Sequence, residues 1–179
     1  VAPYYNKPTQ EGVYQHYRQI AEKVDLPLIL YNIPSRTGIN ILPATVARLA
    51  QIPSIVGIKE ASGSLSQISE VVALCGEDFL VLSGDDALTL PILAVGGKGM
   101  ISVLANMMPK EAVELVKKFR AGDIDGARRL HHRLRPLIDA LFWETNPIPI
   151  KAALALMGRI SSEMRLPLTT LSEPNRERL

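Results

Sequence analysis

The sequence predicts an α/β fold, part of a closed parallel (β/α)8 TIM barrel with a helical tail, and three observations predict it. Short apolar runs alternate with amphipathic stretches of helical period. The runs are near-continuous in β-branched and aliphatic residues, as parallel strands covered on both faces are. The polar residues that interrupt them gather at one end of each run.

The first full run is Pro27-Leu28-Ile29-Leu30-Tyr31-Asn32. Ser54-Ile55-Val56-Gly57-Ile58-Lys59-Glu60 repeats its design, as does Phe79-Leu80-Val81-Leu82-Ser83-Gly84-Asp85. Gly99-Met100-Ile101-Ser102-Val103 is the fourth. Helices are expected between and after them, over residues 9–24, 43–50, 64–74, 86–95, 109–120, 124–142 and 150–157. Thr9 suits an N-cap and Pro43 a first-turn position. Gly96-Gly97 closes the fourth helix, and Asn146-Pro147-Ile148-Pro149 breaks the path to the last.

Strand–helix–strand repetition implies crossover connections and a parallel sheet. The strand ends favour a barrel over an open sheet. Tyr4-Tyr5-Asn6, Tyr31-Asn32, Lys59-Glu60, Gly84-Asp85-Asp86 and Ser102 each lie at a C-terminal strand end, the face on which a barrel collects its chemistry. An open sheet concentrates it near one switch point. Gly96-Gly97-Lys98-Gly99 precedes a strand, the wrong order for a phosphate-cradling turn. Four strands and the tail of a fifth do not close an eight-stranded barrel. The opening Val1-Ala2-Pro3, without Met, reads as a strand already under way. The expectation is an upstream segment, or copies that pair to complete a sheet.

Composition narrows the class. The 179 residues are 47% apolar and 21% charged, with a net charge of +2. That balance suits a globular domain and gives no basic field for nucleic acid. Arg128, Arg129, Arg133 and Arg135 read as a solvated helix face. No run approaches the ~20 apolar residues of a membrane span. Cys75 is the single cysteine, which fits a reducing cytoplasm and a packed apolar role.

Lys59 is the candidate nucleophile. It ends a strand of apolar residues and glycine. A lysine held in such a site loses the solvation its ammonium needs, and the free amine attacks a ketone to form an imine. Tyr31 ends the neighbouring strand, and adjacent strands lie ~4.8 Å apart, so its phenol can relay protons as water leaves. Tyr5 can extend that relay or pack at a subunit contact. Arg36 follows Tyr31 by a short loop and can fork onto a carboxylate, or serve as a surface arginine. Gly84 allows close approach of backbone to a substrate. Asp85 or Asp86 caps the next helix rather than binding metal, since no further ligand lies at the needed spacing. His16, His131 and His132 fall in helices, away from the strand ends.

Pro3-Tyr4-Tyr5-Asn6-Lys7-Pro8, Tyr31-Asn32-Ile33-Pro34-Ser35-Arg36-Thr37-Gly38, Gly57-Ile58-Lys59-Glu60, Leu82-Ser83-Gly84-Asp85-Asp86, Gly97-Lys98-Gly99-Met100-Ile101-Ser102 and Asn146-Pro147-Ile148-Pro149-Ile150-Lys151 recur in one order across the chain. Together they resemble the dihydrodipicolinate synthase family of pyruvate-dependent aldolases, which also holds N-acetylneuraminate lyase. The resemblance implies the C-terminal part of a (β/α)8 barrel, from the end of strand four through helix eight. Residues 1–122 would form the partial barrel and 123–179 a helical extension. It implies that Lys59 forms the Schiff base with pyruvate, that Tyr31 shuttles protons, and that Tyr5 reaches a neighbouring subunit's site. It implies that Arg36 holds the carboxylate of aspartate semialdehyde and that backbone at Gly84 and Ile101 lines the pyruvate pocket. The Ser-Arg-Thr-Gly loop favours the synthase over the neuraminate lyase. The family's first three strands, most of its fourth and a Thr-Thr pair of the proton relay have no counterpart here. Of the site at which lysine inhibits some members, only Tyr4 matches.

The functional expectation is thus a lyase of lysine and diaminopimelate biosynthesis that joins pyruvate to aspartate semialdehyde. It needs no metal or organic cofactor, because the imine is the electron sink. The expected assembly is a homo-oligomer, with neither nucleic acid nor membrane as partner. Two alternatives are a related aldolase with another aldehyde and a non-catalytic half-barrel that serves assembly.

Overall fold

A computed structural model describes residues 1–179. It divides into two compact units, Val1–Ile101 and Ser102–Leu179.

In the first unit the four apolar runs form β1 (Leu28–Asn32), β2 (Ile55–Glu60), β3 (Leu80–Ser83) and β4 (Gly99–Met100). All pair in parallel, in the order β1-β2-β3-β4. Each strand lies beside its successor, so the sheet has no point at which strand order reverses. The chain's start adds one rung, with Ala2 N donating to Tyr31 O at 2.9 Å. The helices are α1 (Gln10–Lys23), α2 (Pro34–Thr37), α3 (Pro43–Leu49), α4 (Leu65–Cys75) and α5 (Thr89–Ala94).

Side chains alternate along a strand, so register sorts them into two faces. Leu30 pairs with Ile58 and Ile58 with Val81. This back face packs with Val13, Val46, Leu49, Ile68, Val71 and Ile92 from the helices into the core. Burying such aliphatic side chains contributes about 1.5–3 kcal/mol each. The front face carries Ile29, Tyr31, Lys59, Leu80 and Leu82. Within this chain Ile29 is 43% and Leu80 37% exposed.

Local chemistry sets the helix ends. Thr9 Oγ1 accepts from Gly12 N at 3.2 Å and Ser64 Oγ from Gln67 N at 3.3 Å. Asp85 takes the N-cap role, accepting from Ala87 N at 2.9 Å ahead of a 3-10 turn, Asp86–Leu88, that leads into α5. Cys75 ends α4 half-buried, and burial pushes its thiol up, as fits an inert packed cysteine.

The second unit is helical, with α6 (Pro109–Arg120), α7 (Ile124–Ala140), α8 (Ile148–Leu156) and α9 (Glu173–Arg178). Helix α7 packs on α6 and buries Leu130, Leu134 and Ile138. Its arginines are exposed as expected, with Arg128 paired to Asp125 and Arg135 to Asp139. His131 lies on the buried side, where burial pulls its imidazole down and His132 and Arg135 add to the effect.

Helix α9 is too short to persist by propensity, and Glu144 secures its start. That carboxylate accepts from Ser172 Oγ at 2.5 Å, Ser172 N at 3.1 Å and Asn175 Nδ2 at 2.7 Å. These bonds hold the Glu144 carboxyl below its ordinary value, Ser172 contributing most. A carboxyl depressed in the folded state stabilises it above the unfolded value and stops doing so as pH falls through the folded one. Acidification below the ordinary glutamate range is therefore expected to lower the amide protection of residues 172–179, measured relative to unstructured peptide at the same pH. Glu144→Gln is expected to remove that pH dependence; unchanged acid fraying in the variant would count against the account.

Candidate active site

The site is built from strand ends. Register places Tyr31 beside Lys59 and Lys59 beside Leu82, all on the front face. Lys59 Nζ sits 4.0 Å from the centroid of the Tyr31 ring. A cation over an aromatic face is attracted by the ring quadrupole, which orients the amine while leaving it reachable. Both residues are half-buried.

The backbone ladder continues past the strands. Ala61 N donates to Asn32 O at 2.9 Å, Gly84 N to Glu60 O at 2.8 Å and Ile101 N to Ser83 O at 2.8 Å. These rungs set Gly84 against Lys59 and Ile101 against the end of β3. Gly84 has a sharper reason to be glycine than substrate access. A Cβ there would lie 3.0 Å from Lys59 Cε, 3.1 Å from Lys59 Cγ and 2.9 Å from Ala61 Cβ. The lysine stem lies across the space a side chain would fill.

Tyr5 and Arg36 sit outside this cluster. Tyr5 is 84% exposed and holds a φ of 72°. A bulky residue in the left-handed region is strained, and such strain persists where surrounding structure enforces it. Lys7 shares the feature at 48°, and its stem leans on the Arg36 loop, with Cε 3.2 Å from where a Gly38 Cβ would be. Arg36 is exposed on α2, a single helical turn where the sequence leads one to expect a loop.

Two buried polar residues were not expected. Asn32 and Glu60 follow Tyr31 and Lys59, point to the back face and are both 0% exposed. The signal was the two-residue period itself, which puts Glu60 on the side of Ile58. No group of three or more His, Cys, Asp and Glu side chains is placed to hold a metal. No helix is long and apolar enough to cross a membrane.

The dihydrodipicolinate synthetase family matches the chain over residues 1–179. The chain belongs to this family. A 4-hydroxy-tetrahydrodipicolinate synthase of Syntrophus aciditrophicus is 62% identical over 179 residues, covering 100% of this chain and 62% of the relative. The crystal structure of dihydrodipicolinate synthase from Thermotoga maritima superposes with a TM-score of 0.96 at 52% identity, over 98% of this chain and 61% of that one. The enzyme from Acinetobacter baumannii, crystallised with pyruvate, matches with a TM-score of 0.95 at 48% identity, over 98% and 60%. The chain thus spans about three fifths of the length of these synthases. Its fold is that of the C-terminal part of a TIM barrel with a helical extension, as the sequence led one to expect.

Proposed function

We propose that the protein carrying this chain is a lyase of lysine biosynthesis that condenses pyruvate with aspartate semialdehyde through an imine on Lys59. The observation that carries the reading is the placement of the Lys59 amine against the Tyr31 ring, with the lysine stem lying against Gly84. The names of the synthase relatives and the pyruvate held by the Acinetobacter enzyme support the substrate class.

In this scheme the Lys59 amine attacks the keto carbon of pyruvate. A C–N bond forms, the nitrogen gives up a proton and the carbonyl oxygen takes one, which makes a carbinolamine. A second proton on that oxygen lets the C–O bond break, and water leaves behind the protonated imine. Removal of a methyl proton then gives an enamine, whose carbon attacks the aldehyde. The Tyr31 phenol gives and takes these protons. Arg36 receives the aldehyde's carboxylate through a forked pair of hydrogen bonds. Tyr5, strained and projecting, meets a second subunit in a homo-oligomer.

Borohydride reduction in the presence of pyruvate tests the scheme, with a stable adduct expected at Lys59 by peptide mass mapping. An unmodified Lys59 would sink it. Arg36→Ala separates the aldehyde's identity from the imine step. It is expected to raise KM for aspartate semialdehyde about 10–100-fold, the scale of a lost charge-assisted contact, with trapping by pyruvate unchanged. An equal loss in both assays would assign Arg36 to structure and favour a related aldolase with another aldehyde.

A further inference from the structure

We infer that Glu60, with Asn32, Asn40 and Gln67, forms a positioning device that fixes the front-side groups from behind the sheet; the inference rests on the function proposed above. Asn32 Nδ2 donates to Glu60 Oε1 at 3.1 Å and Oε2 at 3.3 Å, and to Asn40 Oδ1 at 2.8 Å. Gln67 Nε2 donates to Glu60 Oε2 at 3.3 Å and to Asn40 Oδ1 at 3.1 Å, while Asn40 Nδ2 returns a bond to Gln67 Oε1 at 2.7 Å.

Each arm of the network ends at a segment that bears a front-side group. Asn32 and Glu60 face each other across β1 and β2, one residue beyond Tyr31 and Lys59. A slip of one residue would turn Glu60 to the front in place of Lys59, and the Asn32–Glu60 bonds oppose that slip. Ser62 N donates to Glu60 Oε1 at 2.8 Å, which ties down the turn leaving Lys59. Ile41 N donates to Asn32 Oδ1 at 3.0 Å, and Gln10 Nε2 to Asn40 O at 2.7 Å. Those bonds anchor the chain as it returns from the Arg36 turn.

Stability is a poor reason to keep such a group. Burying a carboxylate is costly, and well-packed apolar residues commonly serve the fold as well or better. A buried network whose members are satisfied does something else: it rigidifies and specifies one arrangement. Here that arrangement is the register and loop geometry of Lys59, Tyr31 and Arg36.

The carboxylate meets N–H donors from Asn32, Ser62 and Gln67. Glu60→Gln keeps its shape but turns an NH2 group toward those donors. The variant is expected to form the pyruvate imine about tenfold or more slowly per folded molecule, and to raise KM for the aldehyde as well. Asn32→Asp with Glu60→Gln reverses the donors, and half-turns of the Asn40 and Gln67 amides can follow. That double variant is expected to return to within about threefold of the parent rate, by coupling between neighbours. Gln67→Ala, at the half-buried rim, is the second probe should Glu60→Gln fail to fold, and is expected to slow imine formation about threefold. Borohydride trapping time courses measure each rate, with circular dichroism as the check on folding. A parent protein that is not trapped overturns the proposed function. A trapped parent with equally fast Glu60→Gln or Gln67→Ala variants, or a double variant no better than the single, overturns the positioning role and leaves the function standing.

Discussion

Lys59→Met is expected to abolish pyruvate trapping and to lower condensation on the order of 10^4-fold or more, the scale on which covalent catalysts fail when the nucleophile is removed. Methionine matches the lysine stem as far as Cε, so its chain can keep the stem's packing while removing the Nζ that faces the Tyr31 ring. The fold is therefore expected to hold to within about 1.5 kcal/mol by denaturant titration, as for volume-conserving changes. Lys59→Arg sharpens the result. A guanidinium keeps the charge over Tyr31 but stays protonated, so it is no nucleophile. Both variants should fail alike. Activity retained by Lys59→Arg would mean that Lys59 serves as a fixed charge and that carbon–carbon bond formation proceeds without an imine.

What could be read from the sequence was what depends on short-range pattern. The alternation of apolar runs with helical stretches gave the parallel sheet, and the hydroxyl of Thr9 marked a helix start that the structure caps as expected. Boundaries moved for local reasons. Pro27 has no N–H to give the ladder, and β1 opens at Leu28, whose N donates to Ser54 O at 2.7 Å. The fourth strand stops at Met100, because Ser102 Oγ turns to accept from Ala105 N at 2.9 Å. Pro149, expected to lie in a break, sits in the first turn of α8, where a missing N–H costs little.

The rest depends on partners distant in sequence. Asn32 and Glu60 look like strand-end polar residues until Gln67 of α4 and the Asn40 loop are folded over them. Continuous apolarity in β1 and β3 did not disclose which residues turn to the helices and which to the front. Ile29 and Leu80 on the front read the same as Leu30 and Val81 on the back. The register that sets Tyr31 beside Lys59 likewise follows from pairing across 28 positions of chain, which no local pattern encodes.

Two glycines of the site separate chemistry from folding. Gly84→Ala is expected to cut imine formation by about 10^2-fold, the cost of displacing a reacting group by about 1 Å. Its Cβ would meet Ala61 Cβ at 2.9 Å, Lys59 Cε at 3.0 Å and Lys59 Cγ at 3.1 Å, all of them side-chain atoms, which yield more easily than backbone. Overpacking at this point should cost the fold only about 1–3 kcal/mol. Gly57→Ala is the contrast. Its Cβ would fall 2.5 Å from Leu80 O and 2.7 Å from Leu80 Cβ. A carbonyl in the β2–β3 ladder cannot move without opening the pairing that carries Lys59. Gly57→Ala is therefore expected to lose stability and trapping together, and Gly84→Ala to lose trapping with the smaller loss of stability. If Gly84→Ala traps pyruvate at the parent rate, the Lys59 stem does not need the lane that this glycine leaves open, and the amine reaches its ketone from another direction.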